Sequence, residues 1–159
     1  MEFNKQVSHP MLIGAMELMK AEKTAEHNTM LLNEILKAQF LSPAYINPEP
    51  KVDAEGKVGF VPGTQIHFPM LTAPDGKHFF AAFTDQMEAE KWKQPEGIHY
   101  VALNFDDYAG MVLRKGPGNQ ENPSGGFVIN PFGANAVISR EMVSALVQIR
   151  EQARRDAKK

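Results

Sequence analysis

The side chains best suited to chemistry in this chain are its histidines and serines, and their spacing supports no familiar site. The five histidines lie at positions 9, 27, 67, 78 and 99, so no two are four residues apart on one helix. Ligands must converge on a metal ion, and this spacing predicts no metal site. Ser124 precedes two glycines but lacks the G-x-S-x-G elbow of a serine nucleophile.

The paired acids and the glycine-rich segment also predict no catalysis. Asp106-Asp107 and Glu88 with Glu90 fall in first helical turns, where carboxylates cap amides. Residues 116–126 lack the G-x-x-x-x-G-K-[ST] order that holds phosphates, so no nucleotide or other cofactor is expected. We therefore predict a domain without enzymatic activity. The same loop is a candidate binding segment through Asn122 and Ser124.

Length and composition indicate one domain over residues 1–159, in a reducing compartment. The 159 residues contain no cysteine and carry a formal net charge of −2. Absence of cysteine is typical of cytoplasmic proteins. No apolar run approaches the roughly 20 residues of a membrane span. The basic residues at the C-terminus complement the negative pole of the last helix, and no aromatic residue lies among them to stack on bases. We therefore expect a protein partner, and neither nucleic acid nor a membrane.

Periodicity predicts helices at both ends of the chain. Residues 10–20 and 25–39 form a helical pair, the second helix capped by Thr24. Ser139 caps the last helix. The predicted apolar face of that helix comprises Met142, Ala145, Leu146, Ile149 and Ala153.

Between these ends the pattern alternates strands with short helices. Residues 40–46 are β-like, and prolines from Pro43 onward predict an exposed excursion over 43–63. Residues 65–72 and 77–83 flank Ala73-Pro74-Asp75-Gly76, which predicts a hairpin whose second strand is internal and whose first, with Pro69, lies near an edge. A helix from Thr84 to about Trp92, a strand over 99–103 and a helix capped by Asn104 follow.

Residues 126–139 are the most distinctive segment, predicted as two strands around a turn. Asn130 precedes a proline and is expected to be extended, while Gly133 and Asn135 supply the permissive turn positions. Together these elements predict a mixed α+β fold. It has a central mixed sheet of about five to six strands, an N-terminal helical pair, short connecting helices and a C-terminal helix.

Several of these motifs resemble the SseB (enhanced serine sensitivity) N-terminal domain family. They are Phe68-Pro-Met-Leu-Thr72, Asp75-Gly76, Phe83-Thr84 before an acidic helix with Trp92, and above all Gly126-Phe-Val-Ile-Asn-Pro-Phe-Gly133. The resemblance covers about residues 25–148, the expected core. It implies a compact α/β domain of bacterial cytoplasmic proteins whose biochemical role is poorly defined, and it supplies no catalytic residues to transfer.

The leading hypothesis is a non-catalytic protein-binding or regulatory adaptor module that presents a surface around the turn. Its candidate residues are Asn130, Pro131, Phe132 and Gly133, joined by Asn122 and Ser124. A large aromatic is rarely needed by turn geometry, so Phe132 either fills the core or contacts a partner.

Two alternatives stay open at this point. The first is a small-molecule or peptide-binding enzyme with dispersed polar groups at His67, His78, Asp107 and Asn130. The second is a homodimer through the last helix.

Overall fold

The predicted mixed α+β class is confirmed by a computed structural model, which describes residues 2–3, 9–47, 51–52, 58–59, 63–92, 97–115 and 123–157. The described helices are α1 (Pro10–Ala21), α2 (Ala25–Lys37), α3 (Gln86–Glu90), α4 (Phe105–Leu113) and α5 (Arg140–Ala157). The described strands are β1 (Glu2–Phe3), β2 (Gln39–Asn47), β3 (Lys51–Val52), β4 (Val58–Gly59), β5 (Gln65–His67), β6 (Met70–Thr72), β7 (His78–Ala82), β8 (Ile98–Asn104), β9 (Ser124–Ile129) and β10 (Ala136–Ser139).

The strands form two four-stranded sheets instead of the single central sheet of five to six strands that the sequence predicted. The first sheet has the order β1-β8-β2-β5 and the second β10-β9-β7-β6, while β3 and β4 pair with each other. The second sheet is mixed because β7 and β9 run parallel. Leu41 and Phe83 join the two sheets, each amide donating to the other's carbonyl at 2.8 and 2.9 Å.

The division into two sheets arises at Phe68-Pro69. The sequence predicted one strand over residues 65–72, but β5 pairs with β2 in the first sheet and β6 pairs with β7 in the second. Proline has no amide to donate to a ladder, so the strand is interrupted there and the chain changes sheet. The predicted hairpin of β6 and β7 is confirmed, with Gly76 at φ 87° in its turn. β7 is internal and β6 lies at an edge, as predicted.

The exposed excursion predicted over 43–63 is wrong for residues 43–47, which belong to β2. Pro43 lies within β2 opposite Tyr100, and Ala44 is fully buried. Extended backbone accommodates proline where its missing amide costs no ladder bond, so β2 continues to Asn47. β3 and β4 then occupy part of the excursion, and residues 48–50, 53–57 and 60–62 lie outside the described residues.

Helix starts follow local capping chemistry. Thr24 Oγ1 accepts the His27 amide at 3.0 Å, and Ser139 Oγ accepts the Met142 amide at 3.2 Å, as predicted. The capping box between Asn104 and Asp107 is also confirmed. The cap of α3 is Asp85, whose carboxylate accepts the Glu88 amide at 2.9 Å; the predicted start at Thr84 is wrong because that hydroxyl is buried and bonded elsewhere.

The main core lies between the sheets and α1, α2, α4 and α5, and Tyr108 of α4 stands at its centre. The Tyr108 ring stacks on Phe127 with centroids 4.8 Å apart, and its hydroxyl donates to the Ala81 carbonyl at 2.8 Å. Burial raises the pKa of Tyr108 above its ordinary value; nearby Asp107 adds to this rise and a hydrogen bond with Ser42 opposes it. A smaller cluster around Phe83 packs beneath α3.

The buried face of α5 differs from the predicted one. Val143 and Leu146 are buried, whereas Met142 and Ile149 are 36% and 58% exposed. Val143 and Leu146 pack into the main core, and the carboxylate of Asp106 in α4 forms partly exposed ion pairs with Arg150 at 3.3 Å and Arg154 at 3.5 Å. The helix is apolar over more than one face, so its periodicity alone could not select the buried one.

Candidate binding groove

Asn130 fixes the turn between β9 and β10 to the start of α3. Its Oδ1 accepts the Thr84 amide at 2.9 Å, and its Nδ2 donates to Thr84 Oγ1 at 2.9 Å. Its backbone amide donates to the Ala82 carbonyl at 2.8 Å. Its own carbonyl accepts the amides of Gly133 and Asn135 at 2.9 and 2.8 Å. The turn is therefore held through side chain and backbone together.

The predicted extended conformation of Asn130 is wrong. Its φ is +51°, in the left-handed region, and Asn135 also has a positive φ of 52°. Asparagine tolerates this region better than most residues, and the buried bonds to Thr84 outweigh the local preference imposed by Pro131. Gly133 is not among the described residues of positive φ; instead its α-carbon lies against the Glu88 carboxylate, where an added Cβ would come within 2.6 Å of Oε2.

An apolar groove of about 360 Å³ lies on the outer face of the second sheet, between the 130–135 turn and the Ala73-Pro74 hairpin turn. Val128 and Val137 are paired across β9 and β10, and they point away from the main core because their neighbours Phe127 and Ile138 point into it. Phe79 of β7 extends the groove toward β6. Every described residue lining it is uncharged.

Phe132 stands at the rim of this groove. Its side chain is 47% exposed, as is that of Val137 across the groove, so the alternative in which Phe132 fills the core is wrong. Pro131 lies beside it and also lines the groove. The half-exposed ring and the apolar groove beside it together form a small exposed apolar patch.

Three of the other predicted site residues make contacts within the fold and do not line the groove. Asn130 is only 3% exposed, so it positions the turn but does not contribute to the surface. Ser124 is buried, with its hydroxyl bonded to Gly126 and its carbonyl accepting from Arg140. Gly133 packs on Glu88. Asn122 and most of its loop lie outside the described residues.

The sequence did not identify the floor of the groove. Leu71, Phe79, Val128 and Val137 come from four different strands. The sequence did show that both faces of β7 are apolar, which predicts that other residues pack on both sides of its sheet. Which residues on the outer face of the second sheet stay exposed to solvent depends on where α3 packs.

The residues proposed for a dispersed enzymatic site take part in four separate sets of contacts. His67 stacks on Tyr45 with centroids 6.4 Å apart, in the first sheet. His78 Nδ1 lies 2.9 Å from Thr72 Oγ1, in the second. Asp107 belongs to the capping box of α4, and Asn130 to the turn described above. The structure gives no common setting for these four side chains.

The described part of the chain offers neither a cluster of metal ligands nor a helix able to span a membrane. No group of three or more histidine, aspartate or glutamate side chains is placed there to hold a metal ion. None of the helices described is both long and apolar enough to pass through a bilayer.

Comparison with known proteins defines the class to which this fold and turn belong. The family model of the SseB protein N-terminal domain matches residues 12–145, which include α2 to α4, every described strand except β1, and the start of α5. The chain belongs to this family. The match begins earlier than the resemblance expected from residue 25 and includes most of α1. No curated protein and no solved structure shows a significant match to the chain.

Proposed function

We propose that the chain is a non-catalytic protein-binding domain of the bacterial cytoplasm, and that the groove beside Phe132 accepts an uncharged apolar segment of a partner. The observation that carries this proposal is the half-exposed Phe132 ring at the edge of an uncharged groove. Titratable groups are missing from the described lining, so recognition there depends on shape and apolar area. Such a site suits binding better than proton or group transfer.

The energetics of the rim favour a contact role for Phe132. Burying an exposed apolar side chain completely is worth about 1.5–3 kcal/mol, and Phe132 and Val137 each retain about half of their area for a partner. Aromatic anchors near the centre of an interface often dominate binding. The hydrogen bonds of Asn130 hold the anchor in place beforehand, which lowers the entropic cost of binding.

A photo-crosslinking amino acid at position 132 tests the proposal directly. Placed in the full chain and irradiated in bacterial cells, it should form a discrete covalent adduct with a protein partner. The same probe at Met11, which is 68% exposed on α1, is the matched control. Equal adducts at both positions would count against the groove.

Affinity of the recovered partner for purified variants completes the test. Phe132→Ala should weaken binding by roughly tenfold or more while the free energy of unfolding falls by less than about 1 kcal/mol, because the ring is half exposed. Met11→Ala should leave affinity unchanged. If Phe132→Ala instead unfolds the domain, the residue supports the core and the proposal is wrong.

A further inference from the structure

β10 forms one edge of the second sheet. Among the described strands it pairs only with β9. The Ile138 carbonyl oxygen lies 2.1 Å from the place where a Cβ on Gly126 would stand, so this carbonyl points toward β9. Neighbouring residues of an extended strand turn their backbone groups in opposite directions. The amide and carbonyl of Val137 therefore point toward the free edge of β10.

A second apolar groove, of about 420 Å³, runs along this free edge, and we call it the edge groove. Five consecutive residues, 134–138, line it. Because they belong to both faces of the sheet, the groove follows the edge of the strand and not one face. Its opposite wall consists of apolar side chains from α1 and α2: Met16, Met19, Leu31 and Leu32. Methionine side chains adapt readily to a bound apolar group.

The edge groove is continuous with the groove beside Phe132, because Asn135 and Val137 line both. Val137 points to the outer face of the sheet, whereas Ile138 points into the core. Side chains of a strand added to β10 would alternate in the same way. Those level with Val137 reach the groove beside Phe132, and the next ones reach the wall formed by α1 and α2. The two grooves thus flank a single position for an extended chain.

Two exposed lysines give the edge groove a positive rim. Lys20 lies in the last turn of α1 and Lys23 just beyond it, and they are the charged residues of the described lining. Neither forms an ion pair with a described residue. A carboxylate on a bound segment would therefore meet two ammonium groups. Acidic residues close by in the sequence do not line the groove: Glu17, Glu22, Glu26 and Glu141.

We propose that the bound partner segment, whose existence rests on the function proposed above, is an extended strand that adds to the free edge of β10 and places a carboxylate beside Lys20 and Lys23. Its backbone bonds to the amide and carbonyl of Val137, and its alternate side chains occupy the two grooves. Strand addition takes affinity from the main chain and specificity from alternate side chains. A second copy of β10 fits less well, because residues 131–140 contain no carboxylate.

Selection of random octapeptides displayed on phage, against the purified full chain, supplies the probe. Enriched peptides should alternate apolar residues and contain an acidic residue toward one end. Each is then synthesised with single N-methyl groups along its backbone. Methylation at alternate positions should raise the Kd by roughly tenfold or more, since only every second amide of an added strand points toward β10. The same loss at every position, no loss at any position, or a selection that enriches nothing would overturn the proposal.

Variants of the edge test the same contact from the side of the protein. Val137→Pro removes the outward amide without removing a bond to β9, so the domain should stay folded and the peptide Kd should rise roughly tenfold. Val137→Ile keeps the amide and an apolar side chain and is the matched control. Peptide methylation decides the matter if Val137→Pro fails to fold.

The carboxylate is tested by charge reversal on the rim of the edge groove. Lys23→Glu should raise the Kd of an acidic peptide by roughly fivefold, and added salt should narrow that difference. Lys37→Glu is the matched control, since the Lys37 side chain is 73% exposed at the end of α2 and does not line the groove. Equal effects of the two reversals would remove the charge argument and overturn the assigned occupant.

Phe132→Ala separates this inference from the proposed function. Binding should weaken in both Phe132→Ala and Val137→Pro. Weakening in Phe132→Ala alone would retain the groove beside Phe132 and overturn strand addition. Weakening in Val137→Pro alone would support strand addition and overturn the anchor role of Phe132. A homodimer in sedimentation equilibrium that Val137→Pro abolishes and the peptide dissociates would assign the edge to a second copy and overturn the proposal.

Discussion

The side-chain oxygen of Asn130 accepts a hydrogen bond from the backbone amide of Thr84 at 2.9 Å, across 46 residues of chain. This bond joins the turn that carries Phe132 to the segment that begins α3. Thr84 in turn donates to Asp85, the cap of α3. The position of Phe132 is therefore coupled to the placement of a helix on the outer face of the sheet.

Substitution of Asn130 should separate the stability that comes from its side-chain hydrogen bonds from the stability that comes from its tolerance of a positive φ. Asn130→Ala removes the bonds to Thr84 and leaves a β-carbon in the left-handed region, so we expect a loss of about 2–4 kcal/mol in the free energy of unfolding. Asn130→Gly loses the same bonds but accepts the positive φ, and should cost about 1 kcal/mol less. Urea denaturation of both variants measures the difference. Equal losses would show that the backbone conformation contributes nothing.

Two buried tyrosines should respond in opposite ways to loss of the hydroxyl. Tyr108→Phe removes a bond to the Ala81 carbonyl and should destabilise the fold by about 1–2 kcal/mol. The Tyr100 hydroxyl is buried without a described partner, so Tyr100→Phe should be neutral or slightly stabilising. Thermal unfolding of the pair provides the comparison, each variant serving as the control for the other. A larger loss for Tyr100→Phe would contradict the hydrogen-bond assignment.

The same tyrosines predict sensitivity to alkaline pH. Burial raises the pKa of Tyr100 to about 12, from 10.0 for an unperturbed phenol, and raises the pKa of Tyr108 as well. The unfolded chain therefore loses protons first. Stability contributed by these phenols is complete below pH 10, and it falls as the pH rises toward 12. Each phenol adds a slope of up to about 1.4 kcal/mol per pH unit.

Urea midpoints measured across that pH range test the expectation. Tyr100→Phe should flatten the decline, since one titrating group has been removed. A decline as steep as that of the wild type would assign the effect to other groups.

Gly126 should not tolerate a side chain. Its φ is +133°, and an added Cβ would lie 2.1 Å from the Ile138 carbonyl oxygen in the neighbouring strand. Gly126→Ala should cost about 3 kcal/mol or more, because backbone cannot move aside as a side chain can. Gly110 lies in α4 with nothing near its Cβ position, so Gly110→Ala should stabilise by about 0.5–1 kcal/mol. Chemical denaturation should show shifts of opposite sign.

What the sequence predicted correctly was mainly short-range. The caps at Thr24, Asn104 and Ser139 depend on side chains bonding amides three residues away, and the Gly76 turn depends on four successive residues. Each of these interactions joins residues that are close together in the sequence. Helix positions and the β6-β7 hairpin were therefore accessible from local patterns.

What the sequence predicted wrongly depends on distant neighbours. The left-handed Asn130 is stabilised by Thr84, and the buried side of α5 is set by the packing of Val143 and Leu146 into a core built from distant segments. The change of sheet at Pro69 requires a partner strand in each sheet. The candidate groove was missed in part for the same reason. The sequence identified its rim through the unusual Phe132, while its floor is assembled from strands whose adjacency only the fold defines.

The change of sheet at Phe68-Pro69 also determines how the chain can be divided. Chain order gives β1, β2, β5 and β8 to one sheet and β6, β7, β9 and β10 to the other, so the two sets of strands interleave. No single cut of the chain leaves each sheet whole in its own piece. Neither sheet can form completely before most of the chain has been synthesised. A terminal truncation or fusion made for expression must therefore preserve every strand from residue 39 to residue 139 to keep the groove intact.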